Sequence, residues 1–270
     1  MSDFPEGKRY NSLAGQFRRE YGERLQKLVI DAGFSCPNRD GSIGIGGCTY
    51  CDNAAFHPGY STAGKSLWDQ IDEGIEFHRR RYPKVRHYLA YFQAYSNTYA
   101  PLSRLKALYL EALSHHSVVG LVIGTRPDCI DEEKLDYLAS LSSSKVIILE
   151  YGVESCCDRT LRRINRGHNF ECARKAIQMT ADRGLKTCAH FILGLPGETR
   201  RMLLDQCGTI SSLPLTSVKF HQLQIVKGTR MEPIKKTELK KFRHKVLQIQ
   251  KKVIPLHPLS ENDSNKMMVS

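Results

Sequence analysis

From residue 27 onward, short runs rich in β-branched and aromatic residues alternate with longer amphipathic segments. The short runs predict six strands, at Lys27–Asp31, His87–Gln93, Val118–Gly124, Lys145–Tyr151, Lys186–Leu193 and Ser217–Val226. The longer segments predict helices near 66–80, 103–113, 131–141, 170–183 and 199–211, several with N-caps, at Ser66, Ser103, Asp131 and Thr199. Strands separated by helices pair in parallel through right-handed crossovers. The chain is therefore predicted to be α/β, as a doubly wound sheet or a barrel, with its chemistry after the carboxyl ends of the strands.

Length and cysteine usage narrow the class of protein. A chain of 270 residues suits one barrel-sized domain. We find no secretory leader and no apolar run of about 18 residues, so we expect a cytoplasmic protein without a membrane span. Nine cysteines, an odd number at irregular spacing, indicate metal binding and buried thiols rather than a disulfide framework.

The net charge of +12 is concentrated near the carboxyl end of the chain. Residues 235–252 hold eight Lys or Arg against the single acid Glu238, which is +7 of the total. Apolar residues recur there at 3-4-3-4 spacing, which predicts one amphipathic helix ending before Pro255. The basic face of this helix is either a solvated surface or a surface for an acidic partner such as RNA.

A cysteine-rich loop follows the first predicted strand. Cys36, Cys48 and Cys51 have the spacing C-x11-C-x2-C, and glycines between them permit the loop to turn back on itself. Three thiolates on a 4Fe–4S cubane leave one iron without a protein ligand, and that iron can bind a small molecule. A zinc ion held by the same cysteines and His57 is the alternative. The spacing alone leaves both metals open.

The run CPNRDGSIGIGGCTYC after the first strand resembles the radical S-adenosylmethionine (SAM) superfamily. It is most similar to the YhcC-type branch, whose relatives include the Elongator catalytic subunit and the oxygen-independent coproporphyrinogen oxidase. The resemblance covers residues 8–233 and implies a partial (β/α)6 TIM-like barrel, with a 4Fe–4S cluster on the three cysteines and SAM as cosubstrate. It divides the chain into a radical SAM core, 1–233 with an N-terminal lead-in, and a basic C-terminal helix with a disordered tail, 234–270.

The resemblance also implies SAM contacts in the first half of the chain. Tyr50, directly before the last cysteine of the loop, matches the aromatic position that packs on the SAM adenine. Gln93, Ser96 and Asn97 follow strand two, where the family holds the SAM amino group. A loop aromatic and a polar turn are the structural alternatives for these residues.

Further SAM contacts are implied in the second half. Glu154 matches a family position beside the ribose or the amino-acid end of SAM, and Arg166 matches an arginine that pairs the SAM carboxylate. His190 stands where relatives carry an acid near the ribose, and the backbone around Gln224 faces the adenine. A packed core histidine is the alternative for His190.

Two other pairs of residues lie at strand ends. Arg126 and Asp128 after strand three suit either ligand contact or a structural ion pair. Cys156 and Cys157 adjoin Glu154 at the barrel mouth and are either ordinary thiols or residues with a catalytic or auxiliary role, whereas the other cysteines outside the loop are expected to act as small apolar residues.

The implied function is reductive cleavage of SAM to a 5′-deoxyadenosyl radical on a substrate that the sequence does not identify. It requires a one-electron donor such as flavodoxin or ferredoxin, and it leaves RNA or a nucleotide open as the substrate. Two other classes stay open at this stage. One is a zinc-stabilised nucleic-acid-binding protein, and the other is a catalytically degenerate scaffold with the radical SAM fold.

Overall fold

The computed structural model describes residues 10–52 and 57–233. The predicted C-terminal helix and tail, 234–270, lie outside the described residues. Six strands form one sheet, in the order β1 Gln26–Ile30, β2 Tyr88–Phe92, β3 Val118–Thr125, β4 Val146–Glu154, β5 Lys186–Leu193 and β6 Ser217–Gln222. Every neighbouring pair is parallel and consecutive in the chain. This order has no switch point, so the sheet is a partial barrel and not a doubly wound sheet.

Seven α-helices accompany the strands in the described part of the chain. They are α1 Leu13–Tyr21, α2 Leu67–Arg79, α3 Leu102–Ser114, α4 Glu132–Leu141, α5 Asp158–Arg163, α6 Phe170–Ala181 and α7 Arg200–Ser211. The hydroxyls of Ser66 and Thr199 and the carboxylate of Asp131 cap α2, α7 and α4 as predicted. Ser103 does not cap α3, because that helix begins at Leu102 directly after Pro101. Helices α1 and α5 were not predicted, and α5 at six residues is too short to show a helical period.

The two faces of the sheet alternate along each strand. Leu28, Ala90, Ile123 and Leu149 point outward into the main core beneath the helices. Val29, Tyr91, Val122, Ile148 and Cys188 point inward and pack with Phe17 of α1 in the barrel lumen. The inward positions further along the same strands therefore line the lumen toward the carboxyl ends.

Two predicted strand ends differ from the structure by more than one residue. Strand β4 continues to Glu154, through a register shift in its pairing with β5 between Gly152 and Glu154. Strand β6 ends at Gln222, where the Leu223 amide makes a last bond to the Leu193 carbonyl. Gln224 is consequently exposed in the segment after the strand, which soon turns at Gly228 with φ of 85°.

No helix in the described part of the chain is long and apolar enough to cross a membrane.

Candidate metal and cofactor site

The eleven residues between Cys36 and Cys48 fold as a compact loop at the carboxyl end of β1. The amides of Ile43 and Gly44 donate to the Pro37 carbonyl, and the Gly47 amide donates to the Asn38 carbonyl at 2.7 Å. Gly41 has φ of 96°, a conformation that glycine adopts without strain. These bonds return the chain on itself, so the long first gap still brings Cys48 back toward Cys36.

The Cys48 thiol, which is buried, receives two side-chain donors. Arg166 Nη1 lies 3.6 Å and Asn38 Nδ2 3.7 Å from its sulfur. Donors of this kind stabilise a thiolate and tune the clusters that thiolates hold. Burial, followed by the charge of Cys48, raises the pKa of Cys51 to about 11. A thiolate at Cys51 is therefore disfavoured beside Cys48 unless a bound cation stabilises it.

The positions of the possible ligand atoms bear on the alternative of a zinc ion held by the three cysteines and His57. A tetrahedral zinc ion with bonds of about 2.3 Å needs sulfurs about 3.8 Å apart. Among the described residues, one group places three ligand atoms within 4.8 Å of one another, and it does not include Cys36, Cys48 or Cys51. His57 lies beside Asp31, 3.5 Å from its carboxylate. The three cysteines and His57 are therefore not brought together as a tetrahedral zinc site among the described residues.

Arg166 is held in place by backbone and side chains around it. Its Nη2 donates to the Gly152 carbonyl and lies 3.7 Å from Glu154 Oε1. Its own carbonyl accepts from Arg126 Nη1 at 2.8 Å, and Arg126 makes a bidentate ion pair with Asp128. The Arg126–Asp128 pair is therefore a buried structural pair that positions Arg166.

The turn before Arg166 joins the cysteine loop directly. Asn165, at φ of 54°, donates from its side-chain Nδ2 to the Gly47 carbonyl, and its backbone carbonyl accepts from Asn38 Nδ2. The Thr49 amide donates to the Ile164 carbonyl at 2.9 Å. A non-glycine residue held in the left-handed region is common at functional sites. The loop after β1 and the turn after α5 consequently form one hydrogen-bonded unit.

Tyr50 and Glu154, two of the predicted SAM contacts, lie next to this hydrogen-bonded unit. Tyr50 packs with Leu161 and Ile164, and burial, then Glu154 and Cys48, raise its pKa well above the usual value. Glu154 has φ of 72° and turns off the end of β4 toward Arg166. Both residues therefore lie beside Arg166 and the cysteine loop, and their predicted SAM contacts stay predictions.

The polar residues after β2 are mostly buried. Asn97 donates from Nδ2 to the Gly124 carbonyl at 2.7 Å, and its Oδ1 is buried without a partner among the described residues. Ser96 is also fully buried, and its amide donates to the Ser35 carbonyl. Gln93 is half-buried at the end of β2. These bonds tie β2 to β3 and to the cysteine loop, and the predicted contacts with the SAM amino group stay predictions.

His190 and Gln224 are not part of the unit around Cys48. His190 lies in the lumen, where its Nε2 is 2.8 Å from Glu150 Oε2. Gln224 is exposed beyond β6. Their predicted ribose and adenine contacts also stay predictions.

Sequence reasoning missed several residues that build the site. Asn38 stands inside the recognised cysteine run, so its polarity and position were a usable signal. Lys27 is a lone charge in the apolar strand β1, and its ammonium contacts Glu150 across the lumen. Lys219 lies on the inward face of β6, and its position could have been read from the period of two in that strand.

Comparisons with known proteins identify the fold and the family. A family model described as the radical SAM superfamily matches residues 36–206. Protein YhcC of Escherichia coli (strain K12) is 40% identical over 222 residues, covering 82% of this chain and 70% of YhcC. The structure of the archaeal Methanocaldococcus infernus Elp3 has a TM-score of 0.56 at 18% identity, covering 81% of this chain. Coproporphyrinogen III oxidase (HemN) from Escherichia coli has a TM-score of 0.51 at 15% identity, covering 94% of this chain.

The two solved structures support the fold alone at these identities. This chain spans 50% of the Elp3 chain and 59% of the HemN chain. The family match covers more than half of this chain and begins at the first cysteine of the loop. This chain therefore belongs to the radical SAM superfamily, within its YhcC-type branch.

Proposed function

We propose that this protein is a radical SAM enzyme whose Cys36, Cys48 and Cys51 hold a 4Fe–4S cluster that cleaves SAM. The observation that carries the proposal is the pair of donors, Arg166 and Asn38, directed at the sulfur of buried Cys48. When bound, the cluster supplies the electron that splits SAM into methionine and a 5′-deoxyadenosyl radical, which takes a hydrogen atom from the substrate.

The protein residues position and shield this chemistry. Arg166 holds the Cys48 sulfur and the Gly152 carbonyl together, so the cysteine loop keeps a fixed distance from the end of β4. Tyr50 closes the site from the side of Leu161 and Ile164 and excludes water from it. Glu154 presents a carboxylate at the same edge, where it is suited to accept from the hydroxyls or the ammonium of SAM.

The partners of the reaction follow from the same proposal. A one-electron donor such as flavodoxin or ferredoxin must reach the cysteine loop. Residues 234–270 are proposed as a basic region separate from the radical SAM core, and their positive charge supports RNA or a nucleotide as a substrate class.

The test is carried out on full-length protein purified and reconstituted without oxygen. We expect about four irons with sulfide per chain, and release of deoxyadenosine from SAM with dithionite. The triple change of Cys36, Cys48 and Cys51 to Ala abolishes both, whereas Cys207→Ala, at an exposed cysteine of α7, changes neither. A colourless protein with stoichiometric zinc would favour the nucleic-acid-binding class. An iron cluster that never cleaves SAM would favour the scaffold.

A further inference from the structure

The barrel lumen contains a group of ionisable residues that the chemistry above does not use. We name it the lumen cluster, and it consists of Lys27 of β1, Glu150 of β4, His190 of β5, and Lys219 and His221 of β6. Ile148 and Cys188 point inward, so Glu150 and His190, two residues further on, share the inward face. On β6 the residues at 217, 219 and 221 are half-buried and those between them are exposed. The lumen cluster therefore lines the inside of the barrel.

The carboxylate of Glu150 has a partner on each oxygen. Lys27 Nζ contacts Oε1, and His190 Nε2 lies 2.8 Å from Oε2. Burial opposes the charge, but Lys27 and His190 together hold the pKa of Glu150 well below its ordinary value. The ionised Glu150 accepts from both, so it acts as a fixed anchor that orients the His190 ring.

Lys219 is the ammonium of the lumen cluster without such a direct partner. Within residues 10–52 and 57–233, its ammonium makes no hydrogen bond and no ion pair with an acid. It lies 5.5 Å from the centre of the Tyr91 ring, and Lys27 lies 5.0 Å from the same ring. Two ammonium groups thus face the single carboxylate of Glu150. A half-buried ammonium that shares its one carboxylate with a second ammonium is incompletely compensated, and it is suited to a ligand that supplies further negative charge.

His221 adds a neutral donor beside Lys219. Its ring centre lies 5.2 Å from that of His190. Burial, then the charge of Lys219, lowers the pKa of His221 to about 3, so its ring is neutral at pH 7 and carries one N–H. An ammonium and an imidazole N–H on one strand can both donate to one oxyanion.

A metal ion is the competing occupant of this region. Glu150, Cys188 and His190 offer three ligand atoms within 4.8 Å of one another. Both oxygens of Glu150 are already engaged, and burial raises the pKa of Cys188 to about 11, which disfavours the thiolate. Two neighbouring ammonium groups would also repel a divalent cation. The charge of the lumen therefore favours an anion.

We propose that Lys219 and His221 bind an anionic group of the substrate, a carboxylate or a phosphate, inside the barrel. This inference rests on the proposed function, because the lumen lies directly below the cluster site. Glu150 and Gly152 lie on the same face of β4, two residues or about 7 Å apart along the strand, and Gly152 binds Arg166. A substrate anchored at Lys219 would extend another part of itself toward the mouth, where the deoxyadenosyl group is formed.

The test measures anion binding on the full-length, reconstituted protein at constant ionic strength. Sodium phosphate and sodium acetate replace sodium chloride, acetamide is the neutral control, and the melting temperature is followed against probe concentration. We expect at least one of the two anions to stabilise the wild-type protein, and the better anion identifies the substrate group. In Lys219→Met, the apparent affinity of the protein for the stabilising anion falls at least about tenfold, because a charged hydrogen bond is lost. Lys219→Arg and the exposed control Lys175→Met retain it.

A second readout separates a binding role from a structural one. Without any probe, Lys219→Met melts above the wild-type protein, because it removes one of the two ammonium groups that share the Glu150 carboxylate, and Lys219→Gln does so as well. A lysine that merely supported the fold would give a lower melting temperature.

The outcomes that overturn the inference are distinct. Equal stabilisation of wild-type protein and Lys219→Met by an anion overturns it, as does the absence of stabilisation by either anion. Stabilisation by zinc alone, abolished in Cys188→Ala, overturns it in favour of a metal site. The anion readout does not depend on SAM cleavage, so a protein that binds the anion but releases no deoxyadenosine would refute the proposed function and keep the lumen site.

Discussion

Two buried cation–carboxylate pairs lie on neighbouring layers of the barrel and differ in how completely they are formed. In the lumen, Lys27 and His190 occupy both oxygens of Glu150. At the mouth, Arg166 and Glu154 are 3.7 Å apart, and the guanidinium turns its donors to the Cys48 sulfur and the Gly152 carbonyl instead. Arg166 Nε is buried without a partner among the described residues.

This difference shows which pair belongs to the scaffold and which belongs to a site. Buried polar groups are normally satisfied, so a pair with both partners complete stabilises one conformation of the barrel. Incomplete pairing at the mouth leaves Glu154 and Arg166 with capacity for a ligand between the cysteine loop and β4. In the lumen, both oxygens of Glu150 are occupied, and Lys219 is the residue that can still bind a ligand.

The largest effect is expected from Arg166→Met. The change removes a donor to Cys48, releases the Gly152 carbonyl and leaves Glu154 without its cation. We expect deoxyadenosine release to fall about 100-fold, as for other residues that orient metal ligands, and the free energy of unfolding to fall by about 3 kcal/mol. Arg162→Met, at an exposed residue of α5, is the matched control. A wild-type rate in Arg166→Met would show that the bond to Cys48 has no part in the chemistry.

The residues behind this prediction show how far the sequence alone reaches. The six strands and the cysteine loop were predictable because apolar periodicity and the C-x11-C-x2-C spacing are local signals. Arg166 was also predictable, through its place in a family motif. The contacts of Arg166 were not predictable, because its bonds to Cys48 and to Gly152 join segments that are far apart in the chain.

The lumen cluster was even less accessible to sequence reasoning. Lys27 and Glu150 are separated by 123 positions and meet only because β1 and β4 face each other across the lumen. His190 was assigned a ribose contact from family position, and the structure shows that Glu150 orients its ring. The end of β6 was misplaced by four residues, because the apolar pattern at Leu223 and Ile225 continues past the last ladder bond. Long-range pairing thus decides the details that periodicity cannot.

An intermediate effect is expected from Glu150→Gln, which changes the lumen pair. Loss of the carboxylate leaves the ammonium of Lys27 half-buried without a counter-ion, so the free energy of unfolding falls by about 3 kcal/mol at pH 7. The pKa of Glu150 is lowered in the folded protein, so its contribution to stability is present above its ordinary value of 4.5 and is lost as the pH falls through the lower, folded value. The difference between the two proteins should therefore shrink below pH 4.5.

Urea denaturation of both proteins between pH 3 and pH 7 measures this difference. Glu133→Gln, at an exposed residue of α4, is the control and should follow the wild-type protein at every pH. A difference between wild-type protein and Glu150→Gln that does not depend on pH would mean that Glu150 is not ionised by its two partners. The contacts of Glu150 with Lys27 and His190 would then not be a fully formed ion pair.

The smallest effect is expected from Gly152→Ala, which separates the mouth from the lumen on a single strand. An added Cβ would lie 2.7 Å from both Arg166 Nη2 and Glu154 Oε1, so the guanidinium must move off the Gly152 carbonyl. Gly152 is not among the glycines with positive φ, so the change adds crowding without backbone strain. We expect a loss of about 1 to 2 kcal/mol in unfolding free energy and about a tenfold loss in deoxyadenosine release. Gly208→Ala, with open space around its Cβ on α7, should leave the rate unchanged.

Because Glu150 keeps both partners in Gly152→Ala, phosphate or acetate binding at Lys219 should survive. A parallel loss of deoxyadenosine release and anion binding would show that the mouth and the lumen are one site.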